Sequence, residues 1–348
     1  MNLKELNKVA KAIVADGKGI LAADESGPTI KKRFDTIDTE STEENRRRYR
    51  EMLFTAKGVA DYIGGVILFD ETIRQSTGDG VPFARYLNDL GMIAGIKVDK
   101  GAKPLAAFPG ETITEGLDGL RDRLKEYVSL GAHFAKWRAV ISIDNGGNGS
   151  DSSDGIPTEF CLRANAHALA RYAALCQECG LVPIVEPEVL MDGNHSIERC
   201  AQVTSRTLEL VFAELADHRV ELEGILLKPN MVISGTDASN RAGQEEVAKA
   251  TLDVLRKHVP AEVPGIAFLS GGQSAEEATE HLGLMNRMGP LPWELSFSYG
   301  RALQAPALDA WRGKAEQFEA GQKALYKRAR LNSLAHLGKY EPTMESAA

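Results

Sequence analysis

The sequence predicts an α/β protein, a single-domain (β/α)8 TIM barrel, from three observations. Eight short apolar segments recur along the 348 residues, most are separated by stretches with helical apolar spacing, and several carry ionisable residues at their carboxyl ends. Alternation alone would also suit an open parallel sheet; the count of eight favours closure. The barrel is expected over residues 1–330, with 331–348 forming a short C-terminal tail.

Leu3, Leu6, Val9 and Ile13 form a helical stripe, so the chain opens on an amphipathic helix and lacks the apolar core of a signal peptide. The strand segments follow as GILAAD, GGVILF, GMIAGIKVD, HFAKWRAVISI, LVPIVEPEVL, GILLKPN, GIAFLSGG and LPWELSFSYG. Between them, Ser41 and Glu44 have capping-box spacing ahead of NRRRYREMLFTA, while GLDGLRDRLKEYVSLG and QEEVAKATLDVLRKHV carry helical apolar spacing. NGGNGSDSSDG, residues 145–155, follows the fourth strand and reads as an excursion within one domain rather than a linker.

Composition narrows the function. A hydrophobic fraction of 43% with 26% charged residues describes an ordinary globular chain with ample core. The net charge of −8 argues against a general nucleic-acid or membrane-surface partner, and no run is long enough for a membrane span. Arg46-Arg47-Arg48 follows Glu40, Glu43 and Glu44 and reads as a solvated helix face. The four cysteines are sparse, and Cys176-x-x-Cys179 lies in a helical pattern without a second pair, so reduced thiols in a cytoplasmic protein are expected. The seven histidines lack the sequence clustering of a metal site.

LEGILLKPNM places one ammonium, Lys228, at the end of an apolar run. A lysine there either snorkels into water or is buried where its protonation has chemical consequences. Other strand ends add Asp24, Lys97, Lys136 with Arg138, and Glu186 with Glu188; each i, i+2 pair shares one face of its strand. If these ends converge, lysine crowding favours a neutral amine nucleophile, and like-charge proximity keeps one carboxyl protonated for proton transfer. The plainer reading of the same set is a salt-bridge network across the barrel mouth. Ser270-Gly271-Gly272 and Ser298-Tyr299-Gly300-Arg301 follow the last two strands, where barrels bind phosphate. Ser26, Lys32, Arg33 and Lys97 suggest a second anion site.

With these residues identified, the chain closely resembles class I fructose-1,6-bisphosphate aldolases. The matching stretches are GKGILAADES, TEENRRRYR, GGVILFDET, GIKVDKG, FAKWR, ARYA, IVEPEVL, LLKPNMV, FLSGGQS and FSYGRALQA, in family order over nearly the whole chain. The resemblance implies that Lys228 is the Schiff-base lysine, Glu186 and Glu188 the acid/base pair, Lys136 a neighbouring cation and Asp24 a further catalytic carboxylate. It implies contacts from Ser270, Gly271, Gly300 and Arg301 to the C1 phosphate, and from Ser26, Arg33, Lys97, Arg138 and Ser298 around the rest of a sugar bisphosphate. The iminium then serves as electron sink, so neither metal nor cofactor is expected; a homotetramer is also implied. Animal members end in a tyrosine implicated in protonating the enamine, whereas the segment here reads EPTMESAA, and residues 145–155 make a longer insertion than theirs. A zinc-dependent aldolase, a pyridoxal-phosphate enzyme and a non-catalytic barrel scaffold are the competing readings.

Overall fold

The computed structural model describes residues 2–143 and 155–346, so all of the turn-rich stretch except Gly155 lies outside the described residues. Eight parallel strands close into a barrel in chain order: β1 (Gly19–Ala23), β2 (Ile63–Leu68), β3 (Ile93–Lys97), β4 (Phe134–Ile141), β5 (Val182–Val189), β6 (Leu226–Leu227), β7 (Gly265–Phe268) and β8 (Glu294–Tyr299). Each coincides with one of the eight apolar segments. Closure pairs Ile20 with Ser298 and Leu21 with Tyr299. The longest ladder joins β4 to β5, from Phe134 opposite Val182 to Ile141 opposite Val189.

Apolar side chains fill the barrel. Ile20, Ala22, Ile67, Phe134, Val182, Ile184, Leu226 and Ala267 form its inner cluster, joined by Leu6, Ala10, Ile13 and Val14 from the N-terminal segment. The amphipathic helix Leu3–Ile13 therefore plugs the amino-terminal end of the strands, burying Leu6 and Ile13 of the expected stripe together with Ala10, while Leu3 and Val9 are half-buried. Gly95 has to be glycine: a Cβ there would lie 2.2 Å from the Phe134 ring. This close approach lets one phenylalanine occupy the axis.

Two local expectations are corrected. The helix Glu43–Phe54 starts one residue later than proposed, with the Thr42 hydroxyl accepting from the Asn45 amide at 3.1 Å, so Ser41 and Glu44 do not form the cap. Ser41 instead accepts from Arg46. A full capping box occurs at Ser274 and Glu277, ahead of the helix Ala275–Arg287. Unforeseen was an antiparallel hairpin, Ala102–Pro104 with Thr112–Thr114, docked against the β4 edge by Thr112 and Thr114 hydroxyls donating to the carbonyls of Val140 and Arg138.

Two arginines of the triplet are charge-compensated: Arg46 pairs with Glu71 at 2.6 Å, and Arg47 with Glu44 and Glu51, each at 2.8 Å. All four cysteines are free, and burial pushes the Cys176 thiol well above its ordinary pKa. The 330/331 boundary falls inside the helix Phe318–His336, and Leu331, Asn332, Ala335 and Tyr340 beyond it are buried. Among the described residues, no helix is long and apolar enough to cross a membrane.

Candidate active site

The carboxyl ends of the strands surround a cavity of about 610 Å³. All fourteen candidate residues line it: Asp24, Ser26, Arg33, Lys97, Lys136, Arg138, Glu186, Glu188, Lys228, Ser270, Gly271, Ser298, Gly300 and Arg301. Parallel register explains the convergence. Arg138 stands opposite Glu186 and Lys97 opposite Lys136, and the two-residue spacing keeps each functional pair facing inward.

Lys228 immediately follows the two-residue strand β6. Its amide donates to the Val185 carbonyl at 2.8 Å, which anchors the backbone to β5. Its side chain is only 5% exposed, so snorkelling is excluded, and its Nζ lies 3.1 Å from Glu186 Oε1. The other Glu186 oxygen lies 3.1 Å from Lys136, whose Nζ also meets Asp24 at 2.8 Å. The chain of alternating charges is therefore Asp24–Lys136–Glu186–Lys228.

This alternation corrects two electrostatic expectations. Burial works against the Lys136 cation, but Asp24, Glu186 and Asp99 outweigh it and hold its pKa above the usual lysine value. Burial likewise raises the carboxyl pKa values, yet Lys136 and Lys228 hold both Asp24 and Glu186 below the ordinary range. Crowded lysines do not depress Lys136, and carboxylate proximity does not keep either of these acids protonated, because opposite charges are interleaved between like ones.

The flanks are equally ordered. Arg138 binds Glu188, and Lys97 binds Asp99 at 2.7 Å. Ser26 precedes the helix Gly27–Asp35 without a side-chain cap bond, its hydroxyl 3.1 Å from the Thr29 hydroxyl. Arg33 from that helix faces the cavity, whereas Lys32 is exposed and does not line it. Beside Arg33, whose guanidinium would lie 3.6 Å from a Cβ on Gly300, Gly300 leads into the helix Arg301–Trp311, so amides and dipole add positive potential beside Arg301. Ser298 is buried, and its Oγ has no hydrogen-bond partner among the described residues.

Three lining residues were missed by sequence reasoning. Glu25 is sandwiched between Arg33 and buried Arg50, the latter at 2.5 Å, and accepts from Gln304 at 2.8 Å. Asp99 accepts from the Gly101 and Arg138 amides while pairing with Lys97. Met191 packs so closely on the Gly271-Gly272 turn that a Cβ on Gly272 would lie 2.3 Å from its Cγ. Acids beside Asp24 and two residues after Lys97 were visible in the sequence; no sequence signal marked Met191.

The family model for class I fructose-bisphosphate aldolase matches residues 5–348. A Xanthomonas campestris pv. campestris protein described as a probable fructose-bisphosphate aldolase class 1 is 57% identical over 342 residues, covering 98% of this chain and 100% of that one. The fructose-bisphosphate aldolase of Dictyostelium discoideum is 53% identical, with coverage of 97% and 92%. Among solved structures, fructose-bisphosphate aldolase from Plasmodium falciparum, crystallised with TRAP and a small-molecule inhibitor, superposes with a TM-score of 0.94 at 50% identity, covering 97% of this chain and 96% of that one. Similarity of this extent, on a barrel with one charged cavity at its strand ends, shows that the chain belongs to the class I fructose-bisphosphate aldolase family.

Proposed function

We propose that Lys228 is the nucleophile through which this aldolase reversibly cleaves fructose 1,6-bisphosphate into dihydroxyacetone phosphate and glyceraldehyde 3-phosphate. The supporting observation is the buried Lys228–Glu186 contact at 3.1 Å, inside a cavity with cationic groups on opposite sides. Glu186 takes the ammonium proton, freeing the amine to add to the C2 ketone. The same proton then helps the carbinolamine hydroxyl leave as water, producing the iminium.

Cleavage sends the C3–C4 bonding electrons into the iminium and forms an enamine. A carboxylate of the Asp24–Glu186 pair takes the C4 hydroxyl proton, and glyceraldehyde 3-phosphate departs. Protonation at C3 and hydrolysis release dihydroxyacetone phosphate and restore Lys228. Lys136 steadies both acids and offsets negative charge as the proton moves. Glu188, tied to Arg138, contributes to the acid/base ensemble and orients that guanidinium.

Ser270, Gly271, Gly300 and Arg301 receive the C1 phosphate, combining backbone amides with a bidentate guanidinium. Ser26, Arg33 and Lys97 fall around the rest of the bisphosphate, Arg33 on the side of Gly300, while Arg138 and the Ser298 hydroxyl, without a partner among the described residues, meet the sugar. We further propose a homotetramer acting in the cytoplasm; sedimentation at about four chain masses and fractionation of cells test these two points. Borohydride reduction with dihydroxyacetone phosphate is expected to leave the adduct on the Lys228 peptide, and Lys228→Met to abolish both labelling and cleavage while the fold persists. Adduct on another residue, or cleavage retained by Lys228→Met, would refute the assignment. Turnover is expected to survive EDTA.

A further inference from the structure

The outer helical shell gathers a second set of donor atoms, unrelated to the cavity lining. We propose that His167, Glu214 and His218 form a site for a borderline transition-metal dication of the Zn2+ type. The sequence offered no such cluster because His167 and His218 are separated by the whole of β5. Packing brings their helices together: His167 lies on Glu159–Glu178, while Glu214 lies on Ile197–Asp217 and His218 caps that helix.

One ligand atom from each of the three residues lies within 4.8 Å of the others. His167 Nδ1 is 3.0 Å, and His218 Nδ1 3.6 Å, from the same Glu214 oxygen. Donors around a tetrahedral zinc with bonds of about 2.1 Å stand about 3.4 Å apart, so modest side-chain rotation closes the set. Glu214 and His218 are four residues apart and share one helix face. The same His218 Nδ1 also lies 2.8 Å from the Glu214 carbonyl, a contact that it exchanges for the metal on ligation.

Local charge supports a cation. Among the described residues, the Glu214 carboxylate contacts these two imidazoles and pairs with no lysine or arginine. The imidazole rings meet edge-on with centroids 4.9 Å apart. Two imidazoles and one carboxylate suit zinc or its neighbours better than calcium or magnesium, which favour all-oxygen shells. His167 is exposed, leaving solvent access for a fourth, water ligand. Such a metal cross-links two outer helices and takes no part in carbon–carbon cleavage.

The test uses the intact protein after chelator treatment and buffer exchange. Calorimetric titration with Zn2+, paralleled by visible absorption during Co2+ titration, is expected to show one equivalent per chain. Zn2+ is expected to raise the melting temperature. The exposed-site variant His167→Ala should bind about 100-fold more weakly and lose the melting shift while retaining cleavage activity. Absence of saturable one-equivalent binding, or unchanged affinity in His167→Ala, overturns the site.

Discussion

Lys136→Met tests the interleaved charges at the centre of the cavity. It removes an ammonium 2.8 Å from Asp24 and 3.1 Å from Glu186, in a residue that is 4% exposed. With an effective dielectric of about 20, those contacts carry gross attractions of about 6 and about 5 kcal/mol. Relief of the ammonium's desolvation offsets much of this loss. The expected net destabilisation is about 3–5 kcal/mol, the usual result of breaking a buried pair.

The pH dependence has a definite sign. In the wild type, Asp24 and Glu186 are depressed below their ordinary values, so their stabilisation is present above the unfolded carboxylate range and is lost as pH falls through the folded values. Lys136 is raised, so its contribution is complete below the ordinary lysine value and is lost only as pH rises through its folded value. Between about pH 5 and pH 9 these groups leave wild-type stability nearly flat. In Lys136→Met the neighbouring carboxyls are no longer held down, so the folded state takes up a proton earlier as pH falls, and the deficit should shrink between about pH 7.5 and about pH 6. Urea unfolding at fixed protein concentration measures both quantities. A deficit below about 1 kcal/mol, or one growing toward acid, would refute the reasoning.

Glu25→Gln leaves two guanidiniums facing a neutral amide; we expect a loss of about 3 kcal/mol and roughly tenfold higher KM for the bisphosphate as Arg33 shifts, with kcat less affected, read by urea unfolding and initial rates. Gly272→Ala combines a φ of +71° with the Met191 clash and should cost about 2–4 kcal/mol in a melt, while weakening phosphate binding through the Ser270–Gly272 turn. Ser274→Ala removes the capping box and should cost about 1 kcal/mol with little change in kcat. Arg301→Lys exchanges a fork for a point charge; a KM rise of about tenfold for the bisphosphate is expected, and unchanged KM would contradict a bidentate grip.

Strand periodicity carried most of the fold into view. Apolar runs bounded by turns cannot hide their length, and eight of them with intervening helical patterns leave few architectures. Strand ends also announced the cavity lining, because an ammonium or carboxylate terminating a buried strand has to face a common cavity once the barrel closes. The Thr42 cap escaped because Ser41 and Thr42 are adjacent acceptors with acids three and two residues on, and only backbone geometry selects between them.

By itself, the sequence determined the barrel, its chain order and the lysine that terminates β6. These follow from local periodicity and from the high cost of burying a lone charge. Tertiary structure alone decided that Lys136 stands between Asp24 and Glu186, that Arg33 enters the cavity while Lys32 stays in solvent, and that Met191 braces the Gly271-Gly272 turn. It also joined His167 to His218 across two helices. Coulomb energies change sharply over one or two ångströms, and distances of that size between remote residues are set by packing, which no local pattern records.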